Sequence, residues 1–232
     1  MTDQRPPLFP LAYVVRKSAY EAYHGVIPLG FAGLIFTVLT FLLLPLLMAR
    51  PQWAWALALF AVPAWAGTFA MTLPMAEGSK PAFRHFWQGV WRFSGRSLLL
   101  TVLYLAIALL TWAVFVFWRQ TGGVLGMTFG ICQFYAFAMF ACAQLYTLPL
   151  MVRHDLPVMK AMAQSAKLFL AKPLYTVAVV VQLASLAVVL AVGTVALPLL
   201  YPGLAAVVIS NAALNLMGEL PRRRSPSTES EG

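Results

Sequence analysis

Charge-free apolar runs alternate with short basic segments along the chain. No residue is charged from Ala22 to Met48, Pro51 to Ala76, Ser97 to Trp118, Gln120 to Val152 or Pro173 to Gly218. A helix crosses the ~30 Å hydrocarbon core with about 20 residues, because it rises about 1.5 Å per residue. A charge at the bilayer centre costs about 2.5–3.5 kcal/mol, so charges mark the ends of spans. The first four runs each hold one helix. The last suits two, with Tyr201-Pro202-Gly203 as the turn between them. The pattern predicts an all-α, polytopic transmembrane bundle of six spans near 26–48, 53–75, 97–118, 124–151, 174–199 and 204–219. They form three hairpins in one membrane domain over 1–220, followed by a disordered, polar cytoplasmic tail over 221–232.

An amphipathic stretch precedes each hairpin. In the second, Phe83, Phe86, Trp87, Val90 and Trp91 recur at helical spacing, and Arg84, His85, Gln88 and Arg92 fill the other face. In the third, Val158, Met159, Met162 and Phe169 oppose Lys160, Gln164 and Lys167, with Asp155 as the cap and Pro157 in the first turn. The first, around Tyr13 to Tyr23, is less regular. Together with a Gly or Pro break and a hairpin, each stretch makes a unit repeated three times, over 8–75, 77–151 and 153–220. Thr72-Leu73-Pro74-Met75 and Thr147-Leu148-Pro149-Leu150 close the first two units alike. Helices carrying Arg84, Trp87, Trp91 and Arg92 suit the surface of an anionic inner leaflet; the alternative is a docking face for a cytoplasmic partner.

Charge fixes the orientation. Six spans gather Arg5, Arg16, Lys17, Lys80, Arg84, Arg92, Arg96, Arg153, Lys160, Lys167, Lys172 and Arg222 to Arg224 on one side, leaving Arg50 and Arg119 on the other. By the positive-inside rule both termini are cytoplasmic. Trp53, Trp55, Trp112 and Trp118 then fall near the outer interface, which suits an indole. The same distribution explains the net charge of +9 without nucleic acid, since the cations punctuate apolar runs instead of sharing a face. Composition agrees: 61% of residues are hydrophobic and 10% charged, against about a quarter charged in soluble domains. The first apolar run is too long for a signal-peptide core and lacks a small-residue cleavage site, so it reads as an anchor.

Candidate chemistry is sparse. Cys132 and Cys142 lie ten residues apart in one run, too distant to bridge on a helix. His24, His85 and His154 are scattered, with no metal-binding spacing, and no phosphate-binding loop is present. Without an ionisable residue in any span, an ion-driven transporter and an intramembrane hydrolase are disfavoured, and no catalytic residue, cofactor or metal site is expected. The polar side chains within spans include Gln133, Gln144, Gln182, Asn211 and Asn215. They read as interhelical hydrogen-bonding groups, the alternative being a polar cavity for a neutral solute. Gly122, Gly126 and Gly130 form a GxxxGxxxG packing seam, within the chain or in a self-association.

The segment Leu148-Pro149-Leu150-Met151-Val152-Arg153-His154-Asp155, followed by Lys160, Lys167 and Pro173, together with Phe83 to Arg96, resembles the YesL-like family of bacterial membrane proteins. His154 stands where that family tends to have an aromatic residue, and the charged tail is an addition. The resemblance implies the bacterial cytoplasmic membrane and association with carbohydrate uptake; it brings no site residues. The expectation is an accessory, scaffold or regulatory component of a solute-uptake system, with an ABC-type permease or a second copy as partner. The alternative is a facilitator or channel for a small neutral solute.

Overall fold

The computed structural model describes residues 9–49, 54–79, 82–121, 123–193 and 196–220, and these form helices throughout, without a strand. The predicted tail over 221–232 and Gly122 lie outside the described residues. Helix α1 (Leu11–His24) follows Pro10 and stops at Gly25. There the chain bends by 88° into α2 (Val26–Ala49). At this elbow Gly25 packs against the flexible end of Met75, whose methyl a Cβ would displace. Helix α3 (Ala54–Ala76) follows α2, and two interior prolines, Pro63 and Pro74, do not stop it.

Among the described residues, four helical stretches are long and apolar enough to cross a membrane: 83–120, 126–154, 173–191 and 199–217. Counting the bent pair α1–α2 as one span makes five. Their boundaries depart from the sequence pattern in three places. The predicted surface stretch before the third span is not separate from it, because α4 runs unbroken over Phe83–Thr121. At about 1.5 Å per residue, its 39 residues measure about 58 Å. The predicted fourth span is interrupted, with α5 (Gly123–Ala143) followed by a turn and then α6 (Thr147–His154). Finally, Pro202 and Gly203 are not a turn but lie inside α9 (Ala196–Met217), and α8 (Pro173–Ala191) ends before Val192 and Gly193. Gly203 lies against Leu29, whose Cβ and carbonyl would stand 3.0 and 3.1 Å from an added Cβ, so it serves helix contact instead of a turn.

Helix α9 is the central element, packed against α1, α2, α3, α6 and α8. Ala205, Ala206, Ile209, Ala212 and Ala213 meet Phe69, Tyr146, Leu150 and Val179 in the main core. Small residues bring backbones together. A Cβ on Gly33 would collide with the Leu199 carbonyl, and one on Gly67 would lie 2.9 Å from the Phe86 carbonyl, so α2–α9 and α3–α4 are close pairs.

The two halves of α4 have different partners. Phe86, Gly89 and Val90 pack on α3, whereas Tyr104, Thr111 and Trp118 meet Phe140, Gln133 and Phe129 of α5. The α4–α5 hairpin exposes Leu109, Leu110, Trp112, Phe117, Met127, Phe134 and Tyr135. An apolar surface of this extent is unfavourable in water by about 25 cal/mol per Å².

The amphipathic faces also differ from the periodicity reading. On α4, Phe86 and Phe93 are buried, but Trp87 and Trp91 point outward with Arg84 and Arg92. On α7 (Val158–Ala171), Val158, Ala161, Ser165 and Phe169 are buried while Met159 is exposed. Asp155 does not cap α7, whose N-terminal flanking residue is Pro157.

Candidate functional site

The described polar interior is built where α1 lies against α9. Asn211 and Asn215 are four residues apart, which places them on one face of α9, and both are buried. Asn211 Nδ2 donates to Ser18 Oγ (3.1 Å) and to Glu21 Oε2 (2.6 Å). Lys17 Nζ lies 3.6 Å from Glu21 Oε1 and donates to the Ala76 carbonyl at 2.8 Å, at the end of α3. Both charged side chains are about one-tenth exposed, at 10% and 11%. Asn215 grips the chain before α1, accepting the Phe9 N–H at 3.0 Å and donating to the Phe9 carbonyl at 3.1 Å, and it also bonds the Tyr175 hydroxyl at 2.9 Å. On the α3 side, the Thr72 and Ser210 hydroxyls meet at 3.1 Å. This seam ties α1, α3, α8 and α9 together. Breaking it leaves a charge or an amide without a partner in a half-dry place.

A second polar point is the interruption between α5 and α6. Ser165 of α7 bridges it: its hydroxyl donates to the Ala143 carbonyl (2.5 Å) and accepts the Tyr146 N–H (3.1 Å). A broken helix must satisfy the backbone groups it frees, and one buried serine does so for two of them. The Tyr146 hydroxyl donates to Thr176 at 3.3 Å.

The third is an ionic belt at the ends of α3, α6 and α9 and along the first half of α4. Arg153 pairs with Glu77 and lies 3.6 Å from Glu219, which stands 3.9 Å from His154. Asp155 binds Arg96 and, at 3.0 Å, Arg92. Hydrogen bonds from Arg96 and then Arg92 hold the Asp155 carboxyl below its usual range. Its φ of 52° ends α6 in the left-handed region, which Asp tolerates better than most residues.

The five candidate amides do not share a cavity. Gln133 on α5 donates to the Thr111 carbonyl of α4 at 2.6 Å. Gln144 accepts from the Thr147 hydroxyl at 2.7 Å. Gln182 is half-buried on α8, while the asparagines sit in the α1–α9 seam. The glycine seam likewise divides. Gly126 lies where a Cβ would come within 2.7 Å of the Trp118 carbonyl, but Gly130 faces open space. Arg84, Trp87, Trp91 and Arg92 are all exposed on the first half of α4. Sequence reasoning missed Lys17, Ser18, Glu21 and Ser165. The available signal was the Lys17–Glu21 spacing of four residues beside Ser18, in the stretch that fitted an apolar-face template least well.

Neither the family models nor the curated proteins nor the solved structures contain a match to this chain. Its own geometry therefore carries the functional argument.

Proposed function

We propose that this chain is a six-crossing protein of the bacterial cytoplasmic membrane, with three hairpins and both termini inside, that acts as an accessory or scaffold component of a solute-uptake system. The observation that carries the proposal is where its polar groups go. Asn211, Asn215, Gln133 and Gln144 each engage a neighbouring helix or turn instead of lining one passage. A facilitator would need such groups on a common wall.

The membrane reading is supported by the exposed apolar faces of α4, α5 and α8 and by the position of the charges. The ion pairs of Lys17, Arg92, Arg96 and Arg153 lie in α1, in the first half of α4 and at the end of α6, segments assigned to the cytoplasmic side. Trp87 and Trp91, flanked by Arg84 and Arg92, suit an anionic leaflet surface. The resemblance to the YesL-like family suggests a carbohydrate permease as the partner.

Two measurements test the role. Purified protein in proteoliposomes should admit neutral sugars no faster than empty vesicles, and tagged protein from native membranes should bring down a permease. Sugar entry through the purified protein would favour the facilitator. Isolation of the protein alone, with uptake unchanged on deletion, would end the scaffold reading.

A further inference from the structure

Where α5 breaks, an apolar groove of about 380 Å³ opens between α3, α4 and α5. Val62, Leu105, Phe137 and Phe140 form its walls, and none of the described residues lining it is charged. Phe137 is more than one-third exposed, so the groove is open to the side. Its polar end is a hydrogen bond between α6 and the end of α5. The Thr147 hydroxyl donates to Gln144 Oε1 at 2.7 Å, and Tyr104 lines the groove beside Gln144. Gln144 Oε1 is thus occupied, while its Nε2 donors meet no acceptor among the described residues, and Gln144 lines the groove. A hydrogen bond accepted at the amide oxygen polarises the amide and strengthens its N–H donors. An unused amide N–H beside an otherwise apolar wall calls for an oxygen acceptor on an apolar body. The absence of a lining cation or anion selects against a charged head group, whose desolvation would go uncompensated.

We infer that this groove binds a neutral lipid-like molecule that carries a hydroxyl or carbonyl oxygen, with that oxygen on the Gln144 amide and its chain along Leu105, Phe137 and Phe140. The inference rests on the membrane placement proposed above, because the ligand enters sideways from the bilayer; it does not rest on the scaffold role. The break is what makes the site. Ser165 holds the chain out of helix beside residue 144, as in other interrupted membrane helices where polar groups gather at a ligand.

The test uses full-length protein in vesicles and a long-chain alcohol carrying a photoreactive diazirine. Labelling should saturate, map to peptides within 101–108 or 137–145, and be competed by hexadecanol but not by hexadecane. Gln144→Leu should weaken hexadecanol competition about fivefold, the order expected for one uncharged hydrogen bond. Ala108→Phe, at an exposed lining position that tolerates a larger side chain, should abolish labelling by filling the groove. Equal competition by hexadecane, labelling indifferent to Ala108→Phe, or cross-links spread evenly along α4, α5 and α8 would overturn the proposal. The vesicles are first washed in alkaline carbonate. Protein lost at that step refutes the membrane placement, whereas retained but unlabelled protein refutes only the groove.

Discussion

Asp155 illustrates how one side chain joins elements that are distant in sequence. It ends α6 in a left-handed conformation and ties the α6–α7 turn to the first half of α4 through Arg92 and Arg96. Because its folded pKa is lowered, its contribution to stability is complete above the ordinary carboxylate range and is lost as pH falls through the lowered value. Asp155→Asn keeps the left-handed backbone and loses the charge. It should melt below the wild type by a constant margin at neutral pH, and the two curves should meet only at pH below the usual carboxylate range. Asn211→Leu, in contrast, strikes a buried seam and should cost about 1–3 kcal/mol, read by thermal melting in detergent. Among the glycines, Gly126→Ala should destabilise the α4–α5 hairpin by about 1–3 kcal/mol through contact with the Trp118 carbonyl. Gly130→Ala meets nothing and should be neutral or slightly stabilising.

At the scale of elements, charge spacing located α2, α3 and the start of α8 to within a few residues, because ionised groups avoid hydrocarbon whatever the packing, but it placed the end of α8 eight residues too late. What local rules missed was decided by tertiary contacts. Gly95 does not break α4: one interior glycine costs about 1 kcal/mol, and Phe93, Arg96 and Ser94 hold the helix through it by burial, by the Asp155 pair and by a bond to the Trp91 carbonyl. Pro202 reads as a stop, yet α9 continues through it while Gly203 makes the close approach to α2. The α5–α6 break has no Gly or Pro within residues 143–146, and its stabilising group, Ser165, is remote in sequence. Of the candidate site, the asparagines were legible as polar outliers in an apolar run. The α1 residues of the seam, Ser18 and Glu21 with Lys17 beside Glu21, were not, because α1 turns polar residues inward and leaves Tyr20 and Tyr23 exposed. Ser165→Ala should therefore destabilise the fold by about 1–3 kcal/mol, measured by melting, although serine on a surface helix would ordinarily be replaceable.

For the molecule as a whole, the arrangement makes physical sense with lipid as the solvent of α4, α5 and α8 and with the ionic belt at one edge of the bilayer. Helix α9 and the small residues around it supply a packed centre, and the interior polar groups fasten helices to one another. The claim on which this depends is the direction in which the hairpins cross. It is tested by single cysteines in a background lacking Cys132 and Cys142, at Gly122→Cys between α4 and α5, Ser79→Cys after α3 and Ser225→Cys in the tail, with intact cells treated with a membrane-impermeant maleimide. Labelling of the first alone, with the other two reacting only after the membrane is opened, is the predicted result; labelling of Ser79→Cys or Ser225→Cys in intact cells would contradict it.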